Sequence, residues 1–239
     1  MTFSRRFYQT AGVCSVVSAG TTLLLIFLPR LFAPDQGFEA RMARVHEPAY
    51  VLRSWTYLVH PLFTVAAALG VAARLRSVTA GLVVPGFLCF LVWGATEAGQ
   101  QALTLAAFDP WRTAYLAGDE AVRASMAIRV SFYDGLWDAM YFLLLIAFLV
   151  GNVLYALAMR QSTGLSRALS GFYAAAALLT ASILIDVRGG PGLPPYLDPW
   201  IYPATQPLAR TLIGVWLWHY GDESMAPPVR NRQAAVTVP

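Results

Sequence analysis

Lysine is absent from this 239-residue chain, so all 17 of its basic residues are arginine. Without lysine there is no Schiff base to retinal or pyridoxal and no phosphate-loop lysine. Cysteine is nearly as scarce: Cys14 and Cys89 both fall in apolar stretches and form no C-x-x-C pair. That excludes a thioredoxin-type motif and a thiolate zinc site, and leaves two small hydrophobes. H-E-x-x-H, E-x-x-H and G-x-S-x-G are missing too. A zincin-like metal site and a serine hydrolase therefore have no carrier motif. Charge itself is scarce, at 13% of residues against 57% hydrophobic, where soluble domains average about a quarter charged. A chain this apolar cannot cover a water-facing surface, so the lipid bilayer is its expected solvent and partner. The net charge of +4 is met by arginines on short cytoplasmic loops and calls for no nucleic acid.

What is present is a series of long apolar runs. The pattern predicts an all-α, polytopic membrane helical bundle of about six transmembrane helices at about 20 residues each. Residues 1–221 read as a single transmembrane domain, and 222–239 as a flexible polar tail. The expected spans are Phe7–Leu28, Val51–Ala73, Val78–Leu105, Val130–Met159, Leu165–Ile185 and Trp200–Tyr220. The first run is too long for a signal-peptide core and is read as an uncleaved helix. Residues around Glu120 to Ile128 read as a short amphipathic helix or as a continuation of the fourth span. The sixth span is the weakest, because it contains Pro203, Pro207 and Arg210. A re-entrant or interfacial segment is its alternative.

Arginine placement sets the orientation. Arg5, Arg6, Arg74, Arg76, Arg160, Arg167, Arg230 and Arg232 fall on one side of a six-span arrangement. The two interhelix loops on that side carry no acid. This predicts a bacterial inner-membrane protein with both termini cytoplasmic. The three outer connections are longer, at about 15 to 25 residues each, roughly a helix-length apiece. Loops carry function more often than connectors do, so the outer face is the expected working face.

Ionisable residues inside membrane spans are costly and mark functional sites by default. Most of them fall in the outer half. Arg53, Tyr57 and His60 share one helix face, as do Trp93, Glu97, Gln100 and Gln101. Asp134, Asp138 and Tyr141 share another, with Trp137 adjacent. Asp186 ends the fifth span at the same level, and Arg210 enters from the sixth. The candidate ligand-binding set is Arg53, Tyr57, His60, Trp93, Glu97, Gln100, Gln101, Asp134, Trp137 and Asp138. Two readings compete. In one, Arg53 and Arg210 neutralise Glu97, Asp134 or Asp138, and the glutamines join helices. In the other, these residues line an outward-open pocket for a small amphipathic ligand, with aromatics around a carboxylate.

Carboxylate and imidazole suit Zn, Mn or Fe, so His46, Glu47, His60, Glu97, Asp134 and Asp138 form an alternative metal set. Their spacing carries no metal motif, so no metal or other cofactor is expected. Small residues four apart, Ala11 with Ser15 and Ala66 with Gly70, suit close helix packing. The functional alternatives are therefore ligand binding or transport, a scaffold for a membrane-protein partner or second copy, and a membrane-embedded metal-dependent enzyme.

Four stretches carry a resemblance: FYQTAGVCSVVSAGTTLLLIFLP, YLVHPLFTVAAALGVAARLR, GATEAGQQAL and RTLIGVWLWHYG. In their order they resemble a domain-of-unknown-function family of six-helix bacterial integral membrane proteins. The resemblance implies that fold and that location, and brings no activity with it.

Overall fold

The computed structural model describes residues 3–32, 37–162, 164–194 and 198–223, with side chains from 201 to 219 in the last stretch. The protein is all-α. Four segments are long and apolar enough to cross a membrane: Arg5–Leu31, Pro48–Ala117, Glu120–Arg160 and Gly164–Val187.

Helix α1 spans Arg5–Phe27 and is capped by Ser4, whose hydroxyl accepts from the Phe7 amide at 3.3 Å. Pro29 sits in the 3₁₀ turn Leu28–Leu31 that follows. A short α2, Phe38–Ala43, and a second 3₁₀ turn, Arg44–His46, lead into α3, Pro48–Leu103. A π-helical turn, Thr104–Phe108, joins α3 to α4, Asp109–Ala117. Helices α5, Glu120–Arg160, α6, Gly164–Asp186, and α7, Asp198–Glu223, complete the chain.

α3 is 56 residues long but folds back on itself. Thr79 leaves helical geometry, at φ −137° and ψ 38°. The rings of His60 and Trp93 consequently lie 6.1 Å apart, where a straight helix would hold them about 50 Å apart. Gly94 makes this antiparallel contact close: a Cβ there would stand 2.6 Å from Val65 Cγ2. The two limbs, residues 48–78 and 80–103, correspond to the expected second and third spans.

Packing runs in a circle: α7 lies along α1, α1 along α3, α3 along α5, α5 along α6, and α6 meets α7. Small residues set the closest approaches. A Cβ on Gly70 would stand 2.5 Å from the Cβ of Ala11. The main core includes Val71, Val83, Tyr155, Met159, Leu169 and Leu217, all buried. Its centre lies toward the Thr79 bend, where the Tyr155 hydroxyl donates to the Ala68 carbonyl at 2.9 Å. At the same end the Arg74 guanidinium lies 3.7 Å from the centroid of the Trp216 ring and donates to the Trp216 carbonyl at 2.8 Å. Arg76 lies over Phe3 there.

The opposite end carries a second cluster of Met42, Phe108, Tyr115, Val130 and Tyr133. Here the expected loop is helical instead. Pro110 lies in the first turn of α4, directly after the π-turn that carries α3 into it. Asp119 caps α5 by accepting from the Val122 amide at 3.0 Å, so that helix begins ten residues before Val130. The sixth expected span is one continuous helix despite Pro203 and Pro207. Of the expected polar tail, residues from 224 onward lie outside the described residues.

Candidate binding cavity

The ring of helices encloses a cavity of about 680 Å³ toward the end that carries α2 and α4. Each element reaches it by its own periodicity. From the first limb of α3 come Tyr50, Arg53, Ser54, Tyr57 and His60, three or four residues apart. From the second come Trp93, Glu97, Gln100, Gln101 and, at the π-turn, Thr104 and Phe108. From α5 come Tyr133, Asp134, Trp137, Tyr141, Leu144 and Phe148. Thr22 of α1, Thr180 of α6, and Tyr202 and Arg210 of α7 add polar groups to the wall.

Nine of the ten residues singled out from the sequence thus line one cavity. The exception is Asp138, which is exposed and outside the lining. The face of α5 turned to the cavity is centred on Trp137, Tyr141 and Leu144. At 100° per residue, Asp138 stands at its edge and turns outward. Asp186, at the end of α6, is likewise exposed and outside the lining.

The ion pairs are not the ones expected. Arg41, on α2, donates to Asp134 at 2.6 Å. Arg112 pairs with Asp109 at 3.4 Å, and the Tyr50 hydroxyl donates to the same carboxylate at 3.0 Å. Arg53 instead lies over the Tyr57 ring, 4.7 Å from its centroid, and reaches the Tyr57 hydroxyl at 3.3 Å. Arg210 donates through Nη1 to the hydroxyls of Ser18 and Thr64, the latter at 2.6 Å. Its own carbonyl accepts from Ser15 at 2.6 Å. This knot joins α1, α3 and α7 and forms part of the cavity floor. Beneath it, Arg210 also borders a smaller cavity of about 60 Å³ with Asn152, Tyr173 and Gln206.

His60 is held in the same knot. Its Nδ1 shares a 2.7 Å hydrogen bond with the Thr21 hydroxyl, and its Nε2 lies 3.4 Å from the Thr64 hydroxyl. Gln100 donates to the Trp137 carbonyl at 3.1 Å and bridges α3 to α5. These two residues are occupied with the protein itself.

Glu97 and Gln101 are not. They are 7% and 5% exposed, and among the described residues neither has a hydrogen-bond or ion-pair partner. Both face the cavity. A carboxylate placed in hydrocarbon costs at least about 2.5 kcal/mol, and an unpaired buried amide about 1–3 kcal/mol. A dry cavity cannot hold them, so water or a polar ligand must solvate them.

His46, Glu47, His60, Glu97, Asp134 and Asp138 do not converge: among the described residues no three His, Cys, Asp or Glu side chains gather as a metal would require. The sequence reading missed Arg41, Arg44, Arg112, Tyr133 and Tyr202, which all line the cavity. Tyr133 was within reach of it, because 133, 137, 141, 144 and 148 continue one helical stripe. The arginines gave no periodic signal, since α2 and α4 fold over the mouth only through tertiary contacts.

No known protein family, characterised protein or solved structure matches this chain.

Proposed function

We propose that this protein crosses the inner membrane six times and binds or moves a small amphipathic molecule through a cavity open to the outer side. The six crossings are α1, the two limbs of α3, α5, α6 and α7. α7 has 26 residues, which at 1.5 Å each matches a hydrocarbon core of about 30 Å with some excess. The orientation follows from charge. The Thr79 bend carries Arg74 and Arg76 and no acid, whereas α2, α4 and the start of α5 mix both signs. Both termini then lie on the cytoplasmic side.

The observation that carries the reading is the pair Glu97 and Gln101, buried, partnerless and turned into about 680 Å³ of space. Sites for small molecules typically occupy about 300–1,000 Å³ and join apolar walls to a few polar groups. Helix glue would have consumed those polar groups, as it consumes Gln100.

The test compares wild type with Glu97→Gln, purified and reconstituted, for binding of fluorescent amphiphiles. The variant folds and expresses normally but changes amphiphile affinity at least tenfold. Unchanged binding of every probe, with unchanged stability, would remove the cavity from the function.

A further inference from the structure

We propose that the molecule held in the cavity is an amphiphile with an anionic head, a carboxylate or phosphate ester, seated between Arg53 and Arg210. The inference rests on the cavity being a binding site and adds the sign of the ligand's charge.

The argument is one of charge balance. Five arginines line the cavity: Arg41, Arg44, Arg53, Arg112 and Arg210. Arg41 is matched by Asp134 and Arg112 by Asp109. Arg53 and Arg210 touch hydroxyls and aromatic rings, and among the described residues no carboxylate pairs with either. Glu97 is the lining carboxyl group without an ion pair, and the charge of Arg210 acts on it only at longer range. Arg44 lies over the Phe32 ring, 5.5 Å from its centroid, and has a further interaction of its own; apart from it, two guanidinium groups without an ion pair, Arg53 and Arg210, share the cavity with one carboxyl group, Glu97. The balance in the cavity is positive, in surroundings where uncompensated charge is strongly disfavoured.

A bound anion removes the excess, and guanidinium is the side chain best shaped to take one. Its planar fork matches carboxylate and phosphate oxygens two at a time. Arg210 commits Nη1 to Ser18 and Thr64, and no described partner takes Nη2. Arg53 is steadied by stacking on Tyr57, and its buried Nε has no hydrogen-bond partner among the described residues.

The chain of the ligand has its own wall. Leu25 and Ile26 of α1, Leu144 and Leu145 of α5, and Leu179 and Ile183 of α6 line the same space. Glu97 then acts on selectivity. In its ionised form it repels an anionic head, so its neutralisation strengthens anion binding.

The experiment uses the full-length protein in phosphatidylcholine nanodiscs and measures equilibrium binding of four probes: oleate, oleyl alcohol, oleylamine and inorganic phosphate. Oleate binds at least tenfold more tightly than the alcohol or the amine. Inorganic phosphate, which has no chain, binds weakly. Arg53→Gln weakens oleate binding at least tenfold and Arg53→Lys recovers part of it, whereas Glu97→Gln tightens it. Arg53 is chosen over Arg210 because Arg210 also joins helices. Preference for oleylamine or the alcohol would overturn the anionic head while leaving the cavity a binding site. Phosphate binding as tight as oleate's would overturn the amphiphile. Binding of none of the four would defeat this inference and the broader reading together.

Discussion

Gly12 and Gly214 meet backbone to backbone: a Cβ on Gly12 would stand 2.7 Å from the Gly214 carbonyl oxygen, and one on Gly214 would stand 2.7 Å from that of Gly12. No rotamer change relieves a clash with backbone, so either substitution must separate α1 from α7. One turn from each glycine lie Ser15 and Arg210, which share a hydrogen bond. The floor of the cavity depends on this contact.

Gly12→Ala and Gly214→Ala should each destabilise the protein by about 1–3 kcal/mol, the range for overpacking. Gly20→Ala is the control, because a Cβ there meets nothing within 4 Å. Removing a glycine from a helix interior gains up to about 1 kcal/mol. Thermal unfolding in detergent should therefore move in opposite directions for Gly12→Ala and Gly20→Ala. The same midpoint for both would mean that α1 and α7 are not in contact.

Tyr155 tests the core at the other end. It is completely buried, and its hydroxyl donates to Ala68. Tyr155→Phe removes one hydrogen bond and should cost about 1 kcal/mol. Tyr155→Ala also opens a void between α3 and α5 and should cost about 3–5 kcal/mol. Chemical denaturation of the two variants should show that graded loss. Equal losses would place the hydroxyl, rather than the ring, at the centre of the packing.

How much of this was legible in the sequence depended on periodicity. The faces Arg53–Tyr57–His60 and Trp93–Glu97–Gln100 follow from helical spacing alone, and both line the cavity. The antiparallel limbs of α3 were expected from arginines near residue 75, and the bend falls at Thr79. Small-residue spacing picked out Ala11, Ser15, Ala66 and Gly70, and of these Ala11, Ser15 and Gly70 sit at helix contacts. The partners of the charges were not legible. Arg41 finds Asp134 across 93 residues of sequence because α2 folds over the mouth, and nothing in a local pattern specifies such a return. One of the two readings of the sequence set Arg210 against a carboxylate; its hydrogen bonds go instead to hydroxyls of two other helices. The side of α5 that Asp138 occupies depended on a register that one turn of helix decides.

The Arg41–Asp134 pair should matter little for stability. Its side chains are 34% and 45% exposed, and exposed ion pairs typically contribute about 0–1 kcal/mol. A double-mutant cycle with Arg41→Gln and Asp134→Asn should return a coupling below about 1 kcal/mol, and less in high salt. A larger, salt-insensitive coupling would mean that the mouth is shut off from solvent.

Ser54 offers a test of both the opening and the orientation. It is buried within α3 yet lines the cavity, so only a reagent entering that space reaches it. Ser77 is exposed two residues before the Thr79 bend, at the far end of the same limb. In a Cys14→Ala, Cys89→Ala background, Ser54→Cys and Ser77→Cys each provide one thiol. A membrane-impermeant maleimide added to intact cells should label Ser54→Cys and spare Ser77→Cys, which should react only after lysis. The limb from 54 to 77 spans about 35 Å at 1.5 Å per residue, so the two thiols lie at opposite sides of a hydrocarbon core of about 30 Å. The reverse labelling pattern would invert the topology and turn the cavity toward the cytoplasm. Failure of Ser54→Cys to react before unfolding would close the cavity altogether, and a closed cavity admits no ligand from the outer side.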